Sequence, residues 1–244
     1  MSSNYYEQVA EYYNTTRNAY ADGWDLNNSL ALHYGYKDHT TKTFGDTLLR
    51  MNEVLMQAAA ITGADKVLDA GCGIGGSSIY LVERTGCQCT GITLSGQQAA
   101  EARALAKKKG LEKQLDIELR NFMQTGYPDA QFTVVWGLES ICYASDKAAF
   151  VREAYRLLQP GGRLVIADGM VTQFAHNEHP VIKKWLQGWQ VNYLESPERF
   201  QQFFAEAGFT DIRYTDITRH TKASSRRLLL LYYGASMWGL WKKL

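Results

Sequence analysis

The apolar positions of this chain change period several times, and each change marks an element. Over 44–62, Leu48, Met51, Leu55, Met56 and Ala59 recur close to a helical turn, with Gly63 placed to end the helix. Val67 and Leu68 then make a short β-favouring run that closes on Asp69, and 77–82 reads as the first turns of another helix. Strand-like runs follow at 88–93, 115–119, 131–136, 163–168 and 209–217. Between them lie helical stretches. One runs to Lys109 and is stopped by Gly110; one runs to Leu158, with Ser145 as its N-cap and Asp146 in its first turn. Gln159-Pro160-Gly161-Gly162 ends that helix, and Ser196-Pro197-Glu198 starts the next, which buries Phe200, Phe203, Phe204 and Ala207 before Gly208. This alternation predicts a doubly wound, Rossmann-like α/β fold with a mostly parallel sheet.

Three stretches break the alternation. The first 44 residues are dense in aromatic and His positions, with a helix expected over 7–13 and interruptions at 21–23 and 25–29. Residues 169–194 read as a partly helical insertion punctuated by Phe174, His176, His179, Trp185 and Trp189. The tail after Ile217 fits an amphipathic helix better than a strand over 228–233, because Arg226-Arg227 precede its apolar run and Lys242-Lys243 follow it. We therefore expect one domain of four parts: a lid with the first helices (1–62), a cofactor-binding core (63–168), a substrate cap (169–195) and a C-terminal part with the tail (196–244).

The chemistry gathers at Lys66-Val67-Leu68-Asp69-Ala70-Gly71-Cys72-Gly73-Ile74-Gly75-Gly76. A strand that breaks into glycines and re-enters a helix lets backbone approach a ligand closely, beside the free N–H groups and positive end of the helix. Gly71, Gly73 and Gly76 satisfy the dinucleotide spacing G-x-G-x-x-G, so spacing alone does not name the ligand. Asp69 would oppose a pyrophosphate, and the second strand ends in Gly91-Ile92-Thr93-Leu94-Ser95 with no acid for a ribose. A carboxylate beside the loop suits a ligand bearing an ammonium and a sulfonium.

On these residues the stretch resembles motif I of the class I S-adenosylmethionine-dependent methyltransferases. Residues 12–217 resemble the small-molecule members, of the tocopherol, sterol C24 and cyclopropane-synthase types. The resemblance implies S-adenosylmethionine as cofactor, held by Asp69, Gly71, Cys72, Gly73 and Gly75, with the first strand central in the sheet. It places Thr93, Leu94 and Gln98 along the ribose and adenine, and Asn121, Phe122 and Met123 around the adenine ring. Tyr-Tyr-Asn-Thr-Thr from Tyr12, with Trp24 and the segment His33–Tyr36, resembles a lid that closes on the cofactor, which brings Tyr12, Tyr13 and Tyr34 to its methionine end. Glu139 and Tyr143, after the fourth strand, would face the transferable methyl, with His33, Tyr34 or Glu139 available to remove a proton. The implied reaction is methyl transfer to a small apolar or amphipathic acceptor, at carbon, oxygen or nitrogen. Cyclopropane-type alkylation of an alkene and a non-catalytic cofactor-binding role are the alternatives.

Composition narrows the partners. A formal charge of +1 over 244 residues provides no electrostatic footprint for nucleic acid, which lowers that substrate class. The first residues lack a signal-peptide pattern, and no run approaches ~20 apolar residues. Cys72, Cys87, Cys89 and Cys142 form no C-x-x-C pair, and no histidine cluster completes a metal site. The expectation is a cytoplasmic protein with no metal, at most peripheral membrane contact through its tail, and a possible homo-oligomeric state.

Overall fold

The computed structural model describes residues 3–241 of the chain. Its centre is a parallel sheet of five strands in the order β3-β2-β1-β4-β5. The strands are β1 (Lys66–Ala70), β2 (Gln88–Thr93), β3 (Leu115–Leu119), β4 (Phe132–Leu138) and β5 (Leu158–Ala167). β1 lies in the middle, pairing Val67 with Cys89 on one side and Val134 on the other. Both faces of β1 are covered, so Val67, Leu68 and Ala70 are all buried, as a sheet with helices on both sides requires.

Helices α3 (Phe44–Ala58), α4 (Gly76–Thr85) and α5 (Gly96–Lys108) belong to one face, where Met51, Leu55 and Leu81 meet Val67 and Val134. Helices α6 (Lys147–Leu157) and α8 (Pro197–Ala207) belong to the other, with Phe150, Leu157 and Phe200 against Leu68 and Val135. A third apolar cluster, away from the sheet, joins α1 (Ser3–Gly23) to the insertion carrying α7 (Pro180–Gly188): Val9 and Tyr143 meet Leu186, Val191 and Leu194. The short α2 (Leu26–Ser29) connects α1 to the rest. Local chemistry sets the starts. Thr43 and Asp46 form a reciprocal capping box on α3, Ser95 caps α5, and Ser196 caps α8 with Pro197 in its first turn.

Several boundaries differ from the sequence pattern, each for a local reason. The expected helix over 7–13 extends across the whole of α1, through 21–23. α3 stops at Ala58, not Thr62, because Ala60 takes a left-handed φ of 47° and Asp65 then accepts the Thr62 N–H. Asp146 rather than Ser145 caps α6, accepting the Ala149 N–H, while the Ser145 hydroxyl is engaged by Tyr6. Gln159–Gly162 is not the stop of the helix before β5: α6 ends at Leu157, and these residues already lie within the strand. Leu158 pairs with Phe132 and Arg163 with Val134, so the intervening residues bulge within the strand.

The expected sixth strand over 209–217 does not form. Phe209 packs on Tyr155 and Phe204 in the α6–α8 layer, and Asp216 accepts the Thr218 N–H at the start of α9 (Thr218–Trp241). The tail is thus helical, and it packs on the lid rather than on the sheet. Ser224 is buried and accepts the Gly35 N–H at 2.8 Å, and Arg227 donates to the Gly23 carbonyl at 2.9 Å. Lys242 and Lys243, the basic end of the expected tail helix, lie outside the described residues. Among the described residues no helix is long and apolar enough to cross a membrane.

Candidate functional site

β1 leads into α4 through a turn whose backbone favours glycine. Gly71, Gly73 and Gly75 have φ of 101°, 55° and 84°, in the region side chains disfavour. A Cβ on Gly71 would run into Ser140, whose hydroxyl donates to the Ala70 carbonyl at 2.5 Å. A Cβ on Gly76 would overlap the carbonyl oxygen of Leu30, so the lid rests on the turn itself. The Gly71 and Cys72 N–H groups both donate to the Ile92 carbonyl, holding the turn against the end of β2. Asp69, 2% exposed, accepts from the Ser78 hydroxyl at 2.6 Å. Burial pushes its carboxyl up to about 6, against the pull of Ser78.

A cavity whose empty space is about 810 Å³, with the open solvent at its mouth included, lies above these strand ends. Asp69, Gly71, Cys72 and Gly73 line its floor, and Thr93, Leu94, Ser95 and Gln98 line the β2 side. The Thr93 hydroxyl donates to Oε1 of Gln98 at 2.8 Å. That pairing leaves the Gln98 amide N–H groups as donors. Phe122 and Arg120 extend this wall. Asn121 and Met123 do not line it: the side-chain Oδ1 of Asn121 folds back to accept the Met123 N–H at 2.8 Å, and Met123 packs into the core with Phe122. Gly75 also lies off the wall, turned toward Ala102 of α5.

The roof is the lid. Val9, Ala10 and Tyr13 of α1 and Leu30, Leu32 and His33 after it line the cavity. Arg17 binds Glu101 of α5 through two hydrogen bonds, at 2.5 and 3.1 Å, and the Ser95 hydroxyl donates to Asn14 at 2.6 Å. Tyr13 donates to the Tyr143 hydroxyl at 3.2 Å, which donates to the Trp189 carbonyl at 3.0 Å, so α1 is linked across the cavity edge to the segment after α7. Tyr12, next to Tyr13 on a continuous helix, does not line the cavity; its ring lies 6.4 Å from that of Trp189. His176 and His179 are absent from the cavity wall as well. His176 pairs with Thr172, and His179 caps α7.

Glu139 follows β4 with a left-handed φ of 49° and donates its own N–H to the Ala167 carbonyl at 2.8 Å. Its carboxylate enters the cavity wall and accepts the Tyr34 N–H at 2.7 Å. Burial pushes it up to about 8; Asp168 adds to the rise and the Tyr34 N–H opposes it. Tyr34 contributes that amide rather than its ring, which packs 5.7 Å from Trp24 and does not line the cavity. His33 lines the cavity but both ring nitrogens are engaged. Nδ1 donates to the Tyr34 carbonyl at 2.9 Å, which leaves Nε2 to accept from Asn52 at 3.3 Å, and burial lowers the ring to about 4. Of the residues the sequence singles out, the cavity therefore assembles Asp69, Gly71, Cys72, Gly73, Thr93, Leu94, Gln98, Phe122, Tyr13, His33, Glu139 and Tyr143. The sequence reading missed Val9, Leu30, Leu32, Arg120 and Ser140; among these, Ser140 was detectable as the neighbour of Glu139.

A family model for a methyltransferase domain matches residues 68–166. The chain is 32% identical to a chloroplastic tocopherol O-methyltransferase of Arabidopsis thaliana, over 77% of this chain and 55% of that one. It is 31% identical to 27-O-demethylrifamycin SV methyltransferase of Amycolatopsis mediterranei, over 84% of this chain and 76% of that one. The chain thus spans about half of the tocopherol enzyme and about three quarters of the rifamycin one. A solved geranyl diphosphate methyltransferase, bound to geranyl diphosphate and sinefungin, superposes with a TM-score of 0.80 at 23% identity, covering 90% of this chain and 86% of that one. That likeness establishes the fold.

Proposed function

The chain belongs to the S-adenosylmethionine-dependent methyltransferases, and from that premise we propose that it methylates a small apolar or amphipathic acceptor. One observation carries the reading: the glycine turn, a buried carboxylate at Asp69 and the neutral Thr93–Gln98 pair share one cavity with Glu139. The residues fit the cofactor. Side chains at Gly71 or Gly73 would fill the cradle, and Asp69 offers a carboxylate to an ammonium where a phosphate would be repelled. Thr93 and Gln98 would hold the ribose hydroxyls and Phe122 the adenine face, with Asp69 and Tyr13 at the methionine end. When bound, S-adenosylmethionine supplies a methyl carbon activated by its cationic sulfur.

The protein's own task is alignment and dryness. The Arg17–Glu101 and Asn14–Ser95 contacts keep α1 over the cavity, and ordering two reactants this way is worth up to ~7–11 kcal/mol of barrier. Glu139, lining the cavity at the end of β4, would take a proton or face a developing positive charge. His33 is a positioning residue: deprotonating a substrate would require it to abandon Tyr34 or Asn52. The buried thiols of Cys72, Cys87 and Cys89 suit a reducing compartment, and we assign the chain to the cytoplasm. Membrane contact, where it occurs, is peripheral, through the exposed Leu229 and Leu230 of α9.

The test is incubation of the intact chain with methyl-labelled S-adenosylmethionine and a panel of apolar alcohols, phenols, amines and alkenes. Label appears in an organic-extractable product, and Glu139→Gln suppresses it without loss of S-adenosylhomocysteine binding. A panel that stays unlabelled while the cofactor binds would leave a cofactor-binding protein without this activity.

A further inference from the structure

Glu139 presents a carboxyl group to the cavity, and among the described residues no cation is ion-paired with it. The charged group acting on Glu139 is Asp168, a second carboxylate, and Glu139 in turn acts on the hydroxyls of Tyr13, Tyr20 and Tyr34. Nearby cations are committed elsewhere. Arg120 forks to Glu118, donates to the Thr125 carbonyl and lies 4.3 Å over the Tyr127 ring. Lys147, 1% exposed, answers Asp168, whose carboxyl it pulls down against the rise from burial, and donates to the carbonyls of Cys142, Ala144 and Tyr193 at 2.9, 2.9 and 3.0 Å. Arg17 is paired with Glu101, and His33 is held neutral.

An acceptor carrying a phosphate, diphosphate or carboxylate would therefore face Glu139 without a counter-ion beside it, at a desolvation cost. A cation meets the opposite conditions. The rings of Tyr13 and Tyr143 line the cavity edge to face, 5.7 Å apart, and Tyr20 stacks on Tyr13 at 6.5 Å. Aromatic faces beside a carboxylate attract an ammonium.

On the methyltransferase reading, we propose that the acceptor is an apolar amine whose nitrogen is held by the carboxylate of Glu139 and the rings of Tyr13 and Tyr143. The amine and Glu139 share one proton. With that proton on Glu139, the nitrogen lone pair is free to form the N–C bond, while the electrons of the broken C–S bond stay on sulfur. A neutral or cationic head enters; an anionic one is rejected.

The test is titration calorimetry on the intact chain saturated with S-adenosylhomocysteine, using three probes of one tail length: N-methyloctylamine, octanoate and 1-octanol. The amine binds at least about tenfold tighter than either other probe, and Glu139→Gln removes that advantage while S-adenosylhomocysteine affinity holds. Octanoate or octanol binding as tightly as the amine overturns the amine assignment alone. Failure of S-adenosylhomocysteine itself to bind overturns the methyltransferase reading and this inference with it. The comparison of probes on the unmodified chain decides the matter even if the variant does not fold.

Discussion

The main-chain N–H of Tyr34 donates to Oε1 of Glu139 across 2.7 Å, joining the segment behind the lid helix to the end of β4. The next amide, that of Gly35, donates to the hydroxyl of buried Ser224 at 2.8 Å. A Cβ on Gly35 would overlap Thr47, so this segment has little room to move. The position of the Glu139 carboxylate thus depends on the tail helix through two consecutive backbone donors.

Ser224→Ala tests that dependence. Losing the acceptor leaves the Gly35 N–H buried and unpaired, which costs ~1–3 kcal/mol of stability. If Ser224 also positions Glu139, kcat falls more than KM rises, and the pH profile shifts. Steady-state kinetics beside chemical denaturation separate the two: a stability loss with an unchanged pH profile would confine Ser224 to packing.

Glu139 gives a pH signature in the ligand-free protein. Burial holds its carboxyl at about 8 in the folded chain, above the ordinary 4.5, and that of Asp69 at about 6, above 3.8. The folded state therefore holds protons that the unfolded chain has released. Their stabilising contribution is complete below about pH 4 and is lost as pH rises through 6 and then 8. Thermal melts at constant ionic strength should show Glu139→Gln losing less Tm than the unmodified chain between these limits. Parallel curves would contradict the raised carboxyl.

The Arg17–Glu101 pair is part-exposed, so its loss costs only ~0–1 kcal/mol of stability. It nevertheless spans lid and core. Arg17→Ala should raise the dissociation rate of S-adenosylhomocysteine several-fold in stopped flow with little change in Tm, and high salt should imitate it in the unmodified chain. An unchanged dissociation rate would show that α1 stays closed without the pair.

Gly71→Ala combines a φ of 101° with a collision at Ser140. It should lower stability by ~1–3 kcal/mol from backbone strain and remove cofactor binding even where the variant remains folded. Binding retained by a folded variant would place the ligand away from this turn.

Much of the site was legible because its geometry demands particular residue types. Gly71, Gly73 and Gly75 all take left-handed φ, which favours glycine, and a Cβ on Gly71 would also strike Ser140, so the β1 turn shows in the chain itself. Thr93 and Gln98 sit close in sequence, where a strand end and the following helix bring them together. What was hidden depends on neighbours distant in sequence. Tyr12 and Tyr13 are adjacent, yet a continuous α1 turns just one of them to the cavity. Leu30 and Leu32 reach the glycines after a left-handed Leu30, which no apolar period announces. The alternation over 209–217 looked like a strand because apolar spacing cannot tell a sheet edge from Phe209 packing on Tyr155 and Phe204. Asn121 looked like an acceptor for a ligand and instead serves its own loop.

The central claim is that the turn after β1 takes a cationic sulfur ligand, not a dinucleotide. Titration calorimetry of the intact chain with S-adenosylhomocysteine and with NADH tests it most directly, repeated on Asp69→Asn. The account predicts saturable binding of S-adenosylhomocysteine, weakened at least about tenfold by the substitution, and no heat from NADH. Binding of NADH, or S-adenosylhomocysteine binding indifferent to Asp69, would contradict it.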